Sequence, residues 1–240
     1  MDRPLGIADP ATVTAVAFDL DDTLYLQADW LSGAWSEVAA AAAESAGIDA
    51  EEFNRALLRI AAEGSDKGGI IDRALAAVGA EDVAVRPLVD VFLAHRPTRL
   101  DPLAGVEEML AHLRADGVRL ALVTDGALST QQSKIDALEL ADAFDRIVMS
   151  DELGRQYRKP HPRPVLEAMR ALDATADEFV MVGDRPDKDV ASAAGAGARA
   201  VRVRTGEYAD RPDHPFTWRV APTAVAAAEM LRAEGLLAGS

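Results

Sequence analysis

A run of apolar residues, Val13-Thr14-Ala15-Val16-Ala17-Phe18-Asp19, flows without a break into Leu20-Asp21-Asp22-Thr23. The first half has almost no polar alternation. It reads as a strand covered on both faces, the pattern found in the middle of a parallel sheet. The second half places carboxylates just past that strand's C-terminal end, the edge at which open α/β sheets hold their ligands. Carboxylates crowded in this way repel one another and need a cation, a shared proton or a basic partner. The expectation is that a divalent metal and a lysine provide that balance, with Asp19 as a nucleophile. The rest of the chain has to supply those partners.

After Thr23 the pattern turns helical and stays so until about Pro97. An Ala-rich segment from Asp29 to Ala46 closes at Gly47, a helix-stopping position. A second segment begins near Asp49 and carries Phe53, Ala56, Leu57 and Ile60 on one face. A third spans Gly69 to Val78, and a fourth sets Leu88, Val89, Phe92 and Leu93 in a helical stripe before His95-Arg96-Pro97. A simple connection from a strand to its helix takes only about 2–6 residues. This stretch therefore predicts a second, helical domain over 26–98, inserted into a core made of 1–25 and 99–240. Hinges are expected at 24–28 and 97–102.

From Leu103 strands and helices alternate. A helix over Val106–Ala115 feeds a strand, Arg119–Val123, which runs into Thr124-Asp125-Gly126. A helix from Ser129 to Leu138, a strand Arg146–Met149 and a polar loop from Ser150 to Pro160 follow. Next come a helix over Pro164–Leu172, a strand Phe179–Val182 ending in Gly183-Asp184, and a short helix from Lys188 to Ala194. A strand Ala200–Val203, a short strand Trp218–Val220 and a last helix from Thr223 to about Leu236 complete the chain. Such alternation implies an α/β fold with a parallel, doubly wound sheet.

Charge and composition remove several classes of function. The formal net charge is −15, which argues against nucleic acid or an anionic membrane as partner, since both need basic patches. Without cysteine there is no disulfide framework, no thiolate metal site and no thiol nucleophile. Met1 to Pro10 lacks the basic-then-apolar order of a secretory signal, and no apolar stretch is long enough to span a bilayer. A cytoplasmic protein is expected.

In a parallel sheet every strand end of one direction reaches the same edge. That edge would gather Asp19 and Asp21, Thr124 and Asp125, and Asp184 with Asp189, with Lys159 in the loop Tyr157-Arg158-Lys159-Pro160. Each has an ordinary role when taken alone: Thr124 as a helix cap, Lys159 as a solvated charge, Asp189 as a helix-start residue. Together their charges balance and fit phosphoryl transfer. Mg²⁺ prefers oxygen ligands and would take Asp19, Asp184 and a backbone carbonyl. Thr124 and adjacent backbone N–H groups would hold phosphoryl oxygens, and Lys159 would neutralise both nucleophile and phosphate.

Asp19-Leu20-Asp21-Asp22-Thr23 resembles the DxDxT signature of the haloacid dehalogenase-like hydrolase superfamily. Thr124, Lys159 in Arg158-Lys159-Pro160, and Gly183-Asp184 with Asp189 resemble its remaining motifs, in the family's order, across Val13 to Tyr208. The helical insertion is similar to the family's α-helical C1 cap, which makes the core Rossmann-like. Thr124-Asp125-Gly126 to Lys134-Ile135 is similar to the same stretch in the family's small-molecule phosphatases. The resemblance implies that Asp19 forms an aspartyl-phosphate, and that Asp21 acts as acid and then base. It also implies a Mg²⁺ site from Asp19, the backbone carbonyl of Asp21, and Asp184. Asp189 is expected to act through water or by orienting Lys159, and Thr23 to brace the turn. Asp125 is expected to turn its side chain away, leaving its N–H and that of Gly126 to the phosphate. The implied substrate is a small phosphorylated metabolite.

Three other chemistries remain in view. A carbon-attacking 2-haloacid dehalogenase needs no acid two residues after the nucleophile. A phosphomutase of the same superfamily typically carries Gly and a small apolar residue where this chain has Asp22-Thr23. A phospho-accepting receiver-like signalling domain would be about half as long and uninterrupted. In the inserted segment Arg55, Arg59, His95 and Arg96 are expected to be solvated, and Trp30 and Trp35 to be packing residues. Arg185 is a candidate for recruiting an anionic substrate.

Overall fold

The computed structural model describes residues 12–64 and 67–237; the opening stretch Met1–Pro10 lies outside them. Strand β1 (Ala15–Phe18) is followed by four helices, α1 (Gln27–Ala46), α2 (Ala50–Ala61), α3 (Ile70–Ala77) and α4 (Val85–Ala94). Alternation then begins with α5 (Val106–Ala115), β2 (Arg119–Thr124), α6 (Leu128–Leu138) and β3 (Arg146–Met149). A single turn, α7 (Ser150–Leu153), precedes α8 (Arg163–Ala171), β4 (Phe179–Gly183), α9 (Ala191–Gly195), β5 (Arg199–Val203), β6 (Arg219–Ala221) and α10 (Ala224–Ala233). The sheet runs β3-β2-β1-β4-β5-β6 with every pair parallel. The chain leaves β1 toward β2 on one side and returns to β4 on the other, so the crevice beside β1 is the topological switch point.

Both faces of the central strands are covered, as the unbroken apolar run requires. Val16 and Phe18, Leu120 and Leu122, and Val180 and Val182 face the layer holding α5 and α10. Ala15 and Ala17, Ala121 and Val123, and Phe179 and Met181 face the layer holding α8 and α9. Alanine at the two β1 positions leaves room for α8 to lie close to the sheet.

The inserted helices have a core of their own. Trp35, Val38, Ala39 and Ala42 of α1 repeat at i, i+3, i+4 and i+7, as do Phe53, Ala56, Leu57 and Ile60 of α2. These two stripes meet Ile71, Ala74, Leu75 and Leu88. Asp49 caps α2 by accepting the Glu52 N–H at 2.7 Å, and Gly47 closes α1 at φ 69°, where a side chain would be strained. Helix α1 serves two layers, because Trp30 and Ala34 in its first turns join the sheet's core instead. The two connections touch where the Leu103 N–H donates to the Leu24 carbonyl at 2.8 Å.

Some local expectations change. The segment from Ser150 to Pro160, read as a plain loop, holds α7 and a 3-10 turn at Arg155–Tyr157. A two-pronged Arg158–Asp151 pair at 2.6 and 2.7 Å ties the two together; four residues are too few to show periodicity. The short helix near Lys188 begins earlier, as a wide π-type turn over Pro186–Val190, a form that recurs at functional sites. His95, expected to be solvated, is 6 % exposed. Its Nδ1 lies 2.8 Å from Glu37 Oε1 and its ring meets the Trp30 ring at 5.3 Å.

Candidate active site

Strand β1 delivers Asp19 into the crevice, and the Asp19 N–H donates to the Val182 carbonyl at 2.9 Å, extending the β1–β4 pairing by one residue. Opposite it, the buried Lys159 ammonium meets three acceptors. Asp19 Oδ1 lies at 2.5 Å, Asp189 Oδ1 at 2.7 Å and the Val123 carbonyl at 3.0 Å. An ammonium has three N–H bonds to give, so its position is fully determined. Asp189 reaches over the end of β4 to make its bond. A Cβ on Gly183 would sit 2.3 Å from Asp189 Oδ2, so only glycine fits beneath it. The other Asp189 oxygen accepts the Arg185 N–H at 2.9 Å.

This cluster has too little positive charge for its carboxylates. Burial, with the nearby Asp189 and Asp21 charges, pushes the Asp19 carboxyl up to about 7 despite the pull of Lys159. Burial, Asp189 and Asp19 likewise hold the Asp184 carboxyl well above the ordinary range. Asp184 Oδ1 is buried and has no hydrogen-bond partner. One oxygen each from Asp19, Asp184 and Asp189 lie within 4.8 Å of one another. A hard divalent cation fits an all-oxygen set with surplus negative charge and an orphaned ligand atom. Both Asp189 oxygens are already accepting bonds, whereas Asp184 has one to spare. Asp184 is thus the more available ligand, and Asp189 sits where it orients Lys159.

Asp21 has a separate set of partners. Its Oδ1 accepts from the Tyr25 hydroxyl at 2.5 Å and from Lys134 Nζ at 2.7 Å, and its Oδ2 accepts from Gln131 Nε2 at 3.1 Å. Burial alone would raise this carboxyl. Burial is the largest single influence, but the Lys134 ammonium together with hydrogen bonds from Lys134, Tyr25 and Gln131 outweighs it and holds Asp21 below the usual carboxylate range. Gln131 Nε2 also donates to the Thr124 hydroxyl at 2.6 Å, which ties the end of β2 to the loop after β1. Tyr25, Gln131 and Lys134 had no role in the sequence reading. The available signal was spacing: Gln131 and Lys134 are three apart on α6 and share a face.

Two cavities flank Asp21. The smaller, of about 120 Å³, is lined by Asp19, Asp21, Asp125, Lys159, Asp184 and Asp189, among others. The larger, of about 430 Å³, lies between the inserted helices and α6, and Gly126 opens onto it. Asp21, Gln27 and Asp125 line both. Thr124 and Thr23 are buried, at 1 % and 0 % exposure, and stand behind the cavity walls. Asp125 does not turn fully away: its Oδ1 accepts the Lys159 N–H at 3.2 Å while its edge faces both cavities. Arg185 is held by Asp187 at 2.8 and 2.7 Å and lies 3.7 Å over the Tyr208 ring. Asp22, given no part beyond the turn, adopts φ 55° and accepts the Gln27 N–H at 2.9 Å and the Glu207 N–H at 3.2 Å. Its carbonyl accepts from the Thr205 hydroxyl.

A doubly wound sheet broken after its first strand by helices, with a lysine held between carboxylates at the switch point, defines a hydrolase-type α/β core. The chain belongs to the haloacid dehalogenase-like hydrolases, whose family model matches residues 13–197. It is 35% identical over 206 residues to glyceraldehyde 3-phosphate phosphatase of Methanopyrus kandleri, covering 82% of this chain and 87% of that protein. It is 34% identical over 210 residues to phosphoglycolate phosphatase of Rhodospirillum rubrum, covering 82% of each. Among solved structures, the 2-haloacid dehalogenase of Pseudomonas syringae pv. Tomato DC3000 superposes with a TM-score of 0.61 at 27% identity, covering 92% of this chain and 99% of that one. Among the described residues no helix is long and apolar enough to cross a membrane.

Proposed function

We propose that this enzyme is a Mg²⁺-dependent phosphatase that hydrolyses a small phosphorylated metabolite through an aspartyl-phosphate on Asp19. The fold is shared with a dehalogenase, so the reading rests on residues. The observation that carries it is the place of Asp21, which lines both cavities. A group that protonates a leaving alkoxide must stand between the phosphoryl group and the rest of the substrate. Carbon–halogen cleavage releases halide and has no use for such an acid.

In this reading an Asp19 oxygen attacks phosphorus in line, the bond from phosphorus to the leaving oxygen breaks, and Asp21 gives that oxygen its proton. Asp21 then takes a proton from water, which attacks phosphorus and releases orthophosphate, restoring Asp19. The lowered pKa of Asp21 favours its ionised form, the form the second step needs. A phosphate dianion arriving beside it raises its pKa and favours the protonated form the first step needs. Lys159 positions Asp19 and neutralises developing charge, while Thr124, held behind the wall by Gln131, braces the loop whose Asp125 and Gly126 N–H groups support phosphoryl oxygens. Mg²⁺, held by Asp19, Asp184 and the Asp21 carbonyl, would screen nucleophile from phosphate.

The test is orthophosphate release from p-nitrophenyl phosphate and a panel of phosphorylated metabolites, with and without Mg²⁺. Mg²⁺-dependent release that Asp19→Asn abolishes is expected. Full activity in that variant, or none in the wild type on any ester, refutes the reading.

A further inference from the structure

The larger cavity has the wrong chemistry for a second anion. It adjoins the small acidic cavity, the two sharing Asp21, Gln27 and Asp125 as lining residues, and it reaches the proposed acid Asp21 from the side of the inserted helices, where the non-phosphate part of a substrate would lie. Its walls are aromatic and aliphatic, with Trp30, Trp35, Phe92, Val89, Leu93 and Ile70 among them. Trp35 stacks on Phe92 at 4.4 Å and Trp30 meets Phe92 edge-on at 5.1 Å, so these rings brace one another into a fixed surface.

The charged groups on the wall are unfavourable to a carboxylate or second phosphate. Among the described lining residues Lys134 is the one cation, against Asp21, Asp72 and Asp125. Lys134 is already committed, with Asp21 Oδ1 at 2.7 Å and the Trp30 ring centroid at 4.7 Å. An anion entering here would lose its water and find no free positive partner. Trp30 and Trp35 are themselves only 2 % and 3 % exposed, so these rings form a closed apolar backing to the cavity.

We infer that the substrate is a phosphomonoester whose leaving alcohol has an apolar body and carries no second anionic group. This rests on the phosphatase reading and narrows it. The Trp30 and Trp35 rings then form part of the substrate surface as well as the packing between helices.

A matched pair of esters tests it: 6-hydroxyhexyl phosphate and 6-(phosphonooxy)hexanoate. Both leave as primary alkoxides and differ only in a hydroxyl or carboxylate at the far end. With Mg²⁺ present, kcat/KM for the hydroxyl ester should exceed that for the carboxylate ester by about tenfold or more, given the penalty for an unpaired buried charge. Leu93→Arg, at a position already 41 % exposed, supplies the missing cation and should close that gap by raising kcat/KM for the carboxylate ester. Val89→Arg is the second variant should the first misfold. Equal or faster turnover of the carboxylate ester by wild type overturns the inference and leaves the phosphatase reading standing. No phosphate from either ester or from p-nitrophenyl phosphate removes both. An unchanged ratio in both folded arginine variants also counts against the cavity as the leaving-group site.

Discussion

Lys134 stands between Asp21 of the sheet's edge and Trp30 of the first inserted helix, 2.7 Å from the carboxylate oxygen and 4.7 Å from the ring centroid. One side chain thereby joins the proposed acid/base to the element that covers it. Lys134→Met removes the charge and keeps the bulk. Burial then dominates at Asp21 and its pKa rises, so the ionised form needed to activate water is reached at higher pH. The acidic limb of the kcat–pH profile should move upward, with about a tenfold loss of rate below it for each pKa unit. A uniform drop at all pH values would mean that Lys134 only holds structure.

Asp21→Asn keeps the shape of the carboxylate and removes its ability to exchange a proton. Turnover of an alkyl phosphate should fall by about 10²–10⁴, the usual span for a general acid or base. An aryl phosphate with a good leaving group should suffer less in the formation of the phospho-enzyme. Rapid-quench measurement of bound phosphate separates the two steps. Rates equal to wild type in both would take Asp21 out of the proton path.

The carboxylate cluster makes stability depend on pH and metal in a fixed direction. Asp19 rises from 3.8 to about 7 on folding, and burial raises Asp184 in the same sense. A folded value above the unfolded one means that the native state binds the extra proton. Its stabilising contribution is complete below pH 3.8 and is lost as pH rises through about 7. In chelator, Asp184→Asn should therefore melt above wild type at pH 8, with the gap closing toward pH 4. Mg²⁺ should raise the wild-type melting temperature at pH 8 and do little for the variant. Identical wild-type melts with and without Mg²⁺ at pH 8 would remove the ion from this cluster.

Gly206 touches Asp22 more closely than any other residue type allows. At φ 66°, a Cβ there would lie 2.0 Å from Asp22 Cγ. Gly206→Ala should lower stability by about 1–3 kcal/mol from backbone strain, with further loss from displacing Asp22. Gly117→Ala, also at positive φ (79°) but with nothing within 4 Å, should cost only the backbone part. Denaturant midpoints of the two variants give the comparison, and equal losses would show that the Asp22 contact carries no weight.

Much of this arrangement was legible because it depends on strand ends. Asp19, Asp184 and the turn after Thr124 follow apolar runs, and parallel pairing brings such ends to one edge without knowledge of the helices. Lys159 was legible as a charge the carboxylates require. Tyr25, Gln131 and Lys134 were given no role, because a polar side chain on α6 or in the turn before α1 looks alike in sequence whether it faces solvent or a buried acid. The Asp22–Glu207 contact joins opposite ends of the sequence, so no local pattern announces it. Thr124 shows the reverse case: its position at the edge was readable, but not that Gln131 would hold its hydroxyl behind the cavity wall.

The clamp at Asp22 bears on how the chain assembles during synthesis. The inserted helices share a core complete by Phe92 and can settle early, since nascent domains fold from the N-terminal side. The root of that unit cannot. Asp22 has its local bond from Gln27 early, but receives those from Thr205 and Glu207 only when these residues emerge, after the segments of β4 and β5. A growing chain therefore carries the inserted helices before the residues that hold the turn at their root have been made.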